Sequence, residues 1–297
     1  MTTESNSPGT ALTSETLDTD TTARIALALA GVSGDPGVSV ALSAFGGAAA
    51  FVAAVHDWED GAAPLAPTVR NRIRGLATAA RVAEALDRSR RMGLSFVTPL
   101  RGAWPLQLES LRGIAPVVLW TRGETESLTA PSVAVTGTTD PSAFGVHMGI
   151  ELATGLASRG WAIAAGAGPG IDDLSRRSAV AMHGRGVTVA GASLERTPEP
   201  QPGEVVVSEV PPGCPATVRS QRRAKFLVAA ISAKTIVVEA GVSSGALRTA
   251  EAAYAMSRPV GVVVGADDDP RSAGCRAFAS QHDVEVVASI RDADRLH

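Results

Sequence analysis

Three short segments concentrate the residues of this sequence that can do chemistry. They are Gly137-Thr138-Thr139-Asp140-Pro141-Ser142, Gly166-Ala167-Gly168-Pro169-Gly170-Ile171-Asp172, and Glu239-Ala240-Gly241-Val242-Ser243-Ser244-Gly245. Each follows a short apolar run and precedes a stretch of helical spacing. At such a junction the first N–H groups of a helix lack carbonyl partners and carry partial positive charge, which suits an anion. Glycine lets the backbone approach a phosphate closely, and the hydroxyls of Thr138, Thr139, Ser142, Ser243 and Ser244 add donors. The middle segment, with Gly166, Gly168 and Gly170 alternating, is not the dinucleotide fingerprint, whose last glycine falls one residue later. A plain glycine turn followed by a helix cap accounts for it equally well, as does ordinary capping for Ser243, Ser244 and Gly245. A fourth group is cationic: Arg219, Arg222, Arg223 and Lys225 lie within seven residues. Arg219, Arg222 and Arg223 are three and four apart and share a helix face, and Lys225 lies off that stripe. Such a cluster serves phosphate contact or is a solvated face.

Other chemistries find little support. The histidines, His56, His147, His183, His282 and His297, have no metal-ligand spacing, and neither Cys214 nor Cys275 has a neighbouring His to activate it. There is no P-loop lysine, nucleophile elbow or zinc motif. Asp172 and Glu239 would make a carboxylate pair for nucleotide hydrolysis, but helix caps and ion pairs explain both equally well. The expectation is no catalytic residue, no metal and no cofactor.

The elements that must position these loops follow from the apolar pattern. Val-rich runs at 133–135, 161–164, 187–190, 205–207, 235–238, 260–264 and 284–287 alternate with segments of helical period. Continuous apolar strands separated by helices imply a parallel sheet buried on both faces. The expected class is α/β, an extended Rossmann-like, doubly wound, mainly parallel sheet, with ligands at the carboxyl ends of its strands. Residues 93–131 read as a proline-rich bridge with one strand candidate at 117–120. Residues 21–92 show only helical spacing broken by Gly and Pro, a small all-helical module. Residues 1–20 hold four acids, no bases and no apolar period, and read as a disordered tail. The predicted division is therefore 1–20, 21–92 and 93–297.

Composition limits the function classes. With 45% hydrophobic and 19% charged residues, and mean hydropathy +0.13, the chain can bury a core. Aromatics are only 4%, so base stacking is not a dominant resource. Net charge is −3, yet eight arginines fall between Arg70 and Arg101, so positive charge is local. No apolar run reaches membrane-spanning length, the N-terminus lacks the order of a signal peptide, and two cysteines make no disulfide framework. A cytoplasmic, reduced setting without membrane contact is expected.

The loops and their flanks resemble the DprA (DNA-processing protein A, or Smf) family. The resemblance begins at Trp104-Pro105 with Leu108 and Leu111, and continues through Ala115-Pro116-Val117-Val118-Leu119-Trp120-Thr121-Arg122-Gly123. It includes Val133 to Gly137, Gly166 to Asp172, and Ser208-Glu209-Val210-Pro211-Pro212-Gly213. Its most specific stretch runs from Val237-Val238-Glu239-Ala240 through Ser244-Gly245-Ala246-Leu247-Arg248-Thr249-Ala250 to Arg258-Pro259-Val260, with Ser272-Ala273-Gly274-Cys275 beyond. Residues 21–92, with Leu27 to Gly31 and Phe45-Gly46-Gly47, resemble the family's helix-hairpin-helix or SAM-like region.

The resemblance implies a non-enzymatic, homodimeric protein that binds single-stranded DNA, protects it and loads a RecA-type recombinase during natural transformation. Several positions depart from the family pattern. Thr139 stands at the usual arginine of the first loop. In the second, Ala165 replaces Ser, Gly168 replaces Ala, Pro169 replaces a frequent Arg and Arg176 replaces His. The family's R-N-R triplet aligns with Ala224-Lys225-Phe226, the stretch between Arg196 and Ser208 is shortened, and no winged-helix segment precedes His297. Arg219, Arg222, Arg223 and Lys225, with Arg176 and Arg177, keep positive charge nearby. The alternative is a nucleotide sensor or a LOG-type nucleoside monophosphate phosphoribohydrolase. Those enzymes show P-G-G-x-G-T near a glutamate, whereas this chain has Gly241-Val242-Ser243-Ser244-Gly245.

Overall fold

The computed structural model describes residues 17–57, 65–111 and 113–297. Among these, nine strands form one sheet in the order β1-β2-β6-β5-β4-β3-β7-β8-β9. The strands are β1 (Ser95–Val97), β2 (Leu119–Gly123), β3 (Ser132–Gly137), β4 (Ala162–Gly166) and β5 (Gly186–Ala190), then β6 (Glu204–Ser208), β7 (Lys234–Val238), β8 (Val260–Val263) and β9 (Glu285–Val286). From β6 to β9 every pairing is parallel, with Ala134 opposite Thr235 and Ala164 opposite Val187. β1 and β2 extend the sheet antiparallel, Trp120 facing Ser208. Every residue of β4, β5, β6 and β7 is buried, which is why these runs read as continuous Val and Ala rather than alternating.

Helices cover both faces. α6 (Ala143–Ala157), α7 (Ile171–Ala181) and α11 (Ile290–Arg295) pack on Val133, Val135, Ile236 and Val238. On the other face lie α8 (Val218–Ile231), which meets Ala134, Val187 and Val205, and α9 (Gly245–Ala255) with α10 (Ala273–Gln281), which meet Val237 and Val262. Strand order reverses beside β3: β4 lies on one side and β7 on the other. The loops after β3 and β7 therefore diverge there and leave a crevice at the carboxyl edge.

The N-terminal helices are α1 (Thr19–Leu29), α2 (Pro36–Ala44), α3 (Ala48–Asp57), α4 (Pro67–Leu76) and α5 (Ala79–Arg91). They share a core with Trp120, Ala190 and Val206, whose side chains point away from the face of Leu119, Val205 and Val207. The expected disordered tail lies mostly outside the described residues. Its last part is structured instead. Asp18 caps α1 by accepting from Thr21 N–H at 2.7 Å, and Asp20 pairs with Arg24 at 2.8 Å while accepting from the first N–H groups of α3. Both acids thus satisfy helix ends that the sequence pattern did not reveal. No single helix among the described residues is long and apolar enough to cross a membrane.

α8 is fixed at both ends. Thr217 and Ser220 form a capping box at its start, and the Ser220 hydroxyl donates to the Gly191 carbonyl after β5 at 2.7 Å. At its end Arg258 donates to the carbonyls of Ala229 and Ser232, both at 2.7 Å, and to that of Ala230. The same guanidinium reaches Gln107 O at 2.7 Å.

Candidate nucleic-acid interface

The three loops converge on one cleft of about 410 Å³ at the carboxyl edge, lined by residues 137–139, 168–169, 172, 225, 241 and 243–246. The convergence is built by backbone bonds between loops. Thr138 N–H donates to Glu239 O at 2.7 Å, and Ile171 N–H donates to Thr138 O at 3.1 Å. Gly170 has φ +80°, and a Cβ there would strike the backbone of Thr138 and Thr139. A Cβ on Gly137 would strike Val238 O. These two glycines allow adjacent loops to touch main chain to main chain.

Glu239 is fully buried and sits at φ +53°, the left-handed region that side chains rarely adopt. Its carboxylate accepts from Ser142 N–H at 2.9 Å and from the Ser142 hydroxyl, while Ser142 Oγ accepts from Gly145 N–H at 3.1 Å to cap α6. Glu239 is a brace between the loops after β7 and β3. Asp172 is 3% exposed and lies in the first turn of α7; its Oδ2 accepts from Lys225 Nζ at 3.2 Å, and its Oδ1 has no partner. The two carboxylates are each held by a different neighbour, Asp172 by Lys225 and Glu239 by Ser142.

Lys225 is the cation of the cleft. Its side chain is 31% exposed, and the bond to Asp172 uses one of its three ammonium donors. The first turns of α7 and α9 border the same space, Ser244 capping α9 by accepting from Ala246 N–H at 3.3 Å. An anionic group placed there meets two helix N-termini and an ammonium.

The cleft thus gathers Gly137, Thr138, Thr139, Gly168, Lys225, Ser243, Ser244 and Gly245. Ser142, Gly166 and Gly170 support its walls: Gly166 packs against the Asp172 carboxylate and Lys225 Nζ. The structure splits the cationic cluster differently from the expected stripe. Arg223 is committed to Glu209, with Nε–Oε2 at 2.9 Å and Nη2–Oε1 at 2.7 Å, and lies over the Phe226 ring. Arg219 reaches the carbonyls of Gly31 and Ser33, and Arg222 is exposed. Arg176 adds no free charge, because it pairs with Glu204 and Asp173. The sequence offers Asp172 as a cap, half of a carboxylate pair or a member of an ion pair, without pointing to a partner. Its contact with Lys225 spans 53 residues and leaves no local signal.

Residues 95–295 match the sequence model of DNA recombination-mediator protein A. The chain is 34% identical over 236 residues to the putative DNA processing protein DprA of Mycobacterium tuberculosis, covering 71% of this chain and 60% of that protein. It is 30% identical over 170 residues to protein Smf of Escherichia coli, covering 54% and 45%. The chain therefore spans about half to three fifths of these relatives' length. In fold it is similar to DNA processing protein A from Streptococcus pneumoniae, with TM-score 0.77, 21% identity and coverage of 95% of this chain and 99% of that one. DNA processing protein A from Helicobacter pylori, solved for its single-stranded DNA binding mode, matches with TM-score 0.59 and 20% identity over 69% of this chain and 97% of that one. A family model that spans residues 95–295 and a relative 34% identical over 71% of the chain agree, and the chain belongs to the DNA recombination-mediator protein A (DprA/Smf) family.

Proposed function

We propose that this chain binds single-stranded DNA by its backbone, with phosphate groups in the cleft between the loops after β3, β4 and β7. The observation that carries the reading is the convergence of those loops, with Lys225 and the starts of α7 and α9 in the lining. A phosphodiester brings negative charge to each, and the lining holds no aromatic side chain on which a base could stack, so binding is led by the backbone. The chain acts without catalysis: Asp172 and Glu239 are engaged by Lys225 and Ser142. In this reading it works as a homodimer that protects the strand and hands it to a RecA-type recombinase, in the cytoplasm. Family membership supports the assignment.

The test is fluorescence anisotropy of a labelled oligonucleotide across a salt series. Wild-type chain is expected to bind with a negative log–log salt slope, and Lys225→Ala to flatten it by roughly 0.7. Salt-independent or absent binding overturns the reading. So does release of free base from AMP, lost in Asp172→Asn, which would promote nucleotide hydrolysis.

A further inference from the structure

The cations of α8 point along a line that leaves the cleft. On a helix, residues 219, 222 and 225 are successive i, i+3 neighbours, each turned about 60° from the last. Lys225 stands in the cleft, Arg222 is exposed one turn nearer the helix start, and Arg219 is exposed one turn further. Six residues separate the ends of this row, about 9 Å of helix rise. Arg223, on the other flank, is taken out of it by Glu209.

Beyond Arg219 the row continues on a different part of the fold. Arg72 of α4 donates to Gly31 O at 2.8 Å, and Arg219 donates to the same carbonyl at 3.4 Å. Two guanidinium groups from helices far apart in sequence therefore meet at one neutral acceptor. Arg81 of α5 donates to the nearby Leu29 carbonyl. Two acids beside these carbonyls among the described residues are already committed: Glu209 to Arg223 and Ser33, and Asp35 to the N–H groups of Gly37 and Val38 at the start of α2. Like charges that meet at a neutral carbonyl, with no carboxylate of the described residues bonded to either, favour an anionic partner.

We propose that Arg222, Arg219 and Arg72 form a second phosphate track, which carries a bound strand from the cleft up α8 and onto the N-terminal helices. The partner is a polyanion of regular spacing, single-stranded nucleic acid, because one row of cations joins this track to the cleft. The inference rests on the cleft being the primary DNA site. The N-terminal helices then set the length of strand held and add affinity only when the strand is long enough to reach them.

The test compares oligonucleotides of about 4 and about 16 nucleotides, the span of common single-strand site sizes. It uses wild-type chain, Arg72→Ala, Arg72→Lys and Lys225→Ala in anisotropy salt series. A phosphate contact worth roughly 0.7 in log–log slope contributes about fivefold at ~0.1 M salt and nothing near ~1 M. Arg72→Ala is expected to weaken the long oligonucleotide about fivefold, flatten its slope by roughly 0.7 and leave the short one unchanged. Arg72→Lys, which keeps the charge, restores the slope. Equal losses on both lengths, or failure of Arg72→Lys to restore the slope, would mean that Arg72 acts through folding, and would overturn the track. An unchanged long-strand affinity in Arg72→Ala, with Lys225→Ala still weakening both lengths, overturns the track and leaves the cleft standing. Loss of neither length in Lys225→Ala, with Arg72→Ala weakening the long one, removes the cleft and the continuity on which the track depends.

Discussion

Breaking the brace between Glu239 and Ser142 should loosen the cleft and cost stability by an amount the geometry sets. Ser142→Ala removes the α6 cap, worth about 1 kcal/mol, together with a hydroxyl bond to a buried carboxylate, worth about 1.5–3 kcal/mol. The expected loss is about 2.5–4 kcal/mol. Glu239→Gln keeps the volume and one acceptor for Ser142 N–H but places an amide NH2 where an acceptor oxygen stood, at a cost of about 1.5–3 kcal/mol. In the double variant the hydroxyl bond can be lost only once, so the two effects should fall short of additivity by about 1–2 kcal/mol. Urea unfolding gives the energies from midpoint shifts at unchanged m. Oligonucleotide affinity, measured well below each midpoint, should fall in all three variants as the loops after β3 and β7 separate. Additivity within about 0.5 kcal/mol would refute the brace. A fully stable Glu239→Gln chain that had lost a base-releasing activity would make Glu239 a chemical group instead of a structural one.

Three further outcomes follow from particular contacts. Gly170→Ala should cost at least about 2 kcal/mol, because it combines a left-handed backbone with a collision against Thr138 and Thr139; thermal unfolding should show a fall of roughly 4–8 °C. Asp172→Asn removes the negative charge beside Lys225 and should tighten oligonucleotide binding roughly two- to fivefold at low salt, an advantage that vanishes as salt rises in the same anisotropy assay. Burial pushes the Cys275 thiol up to about 11, so at pH 8 it stays protonated as well as covered. A thiol reagent should therefore reach half-buried Cys214 in the native chain and Cys275 only on unfolding, as counted by mass spectrometry.

The inner parallel strands were legible because β4, β5, β6 and β7 are buried on both faces and are built mainly from Val, Ala and Ile. The glycine loops were legible for a related reason: main chain touching main chain at Gly137 and Gly170 tolerates no other residue. β1 was not. It has three residues and owes its existence to pairing with β2, 24 residues away, so no internal period marks it. The start of α1 was hidden because Asp18 and Asp20, which look like solvated acids, are caps whose partners include the distant first turn of α3. Least legible were the cations of α8. Helix geometry put Arg219, Arg222 and Arg223 on one face, but Arg223 is withdrawn from it by Glu209, supplied by the loop after β6. Likewise, Lys225 was placed off the stripe by spacing alone, and only the fold shows that being off the stripe turns it into the cleft.

The anchoring of α8 at both ends gives the helix a mechanical role. Over its 14 residues it is a rod of about 21 Å. One end is stapled to the turn after β5 by Ser220, and the other is gripped by Arg258, which follows α9 at the approach to β8. Tension on anything seized by Lys225 enters this rod between its two fastenings and passes into the sheet on either side of the cleft. With both ends fastened the rod is not free to swing, so in the proposed complex the load would fall on the contact between Lys225 and a phosphate. A strand drawn away by a moving partner would then slip from grip to grip without dragging the loops open behind it.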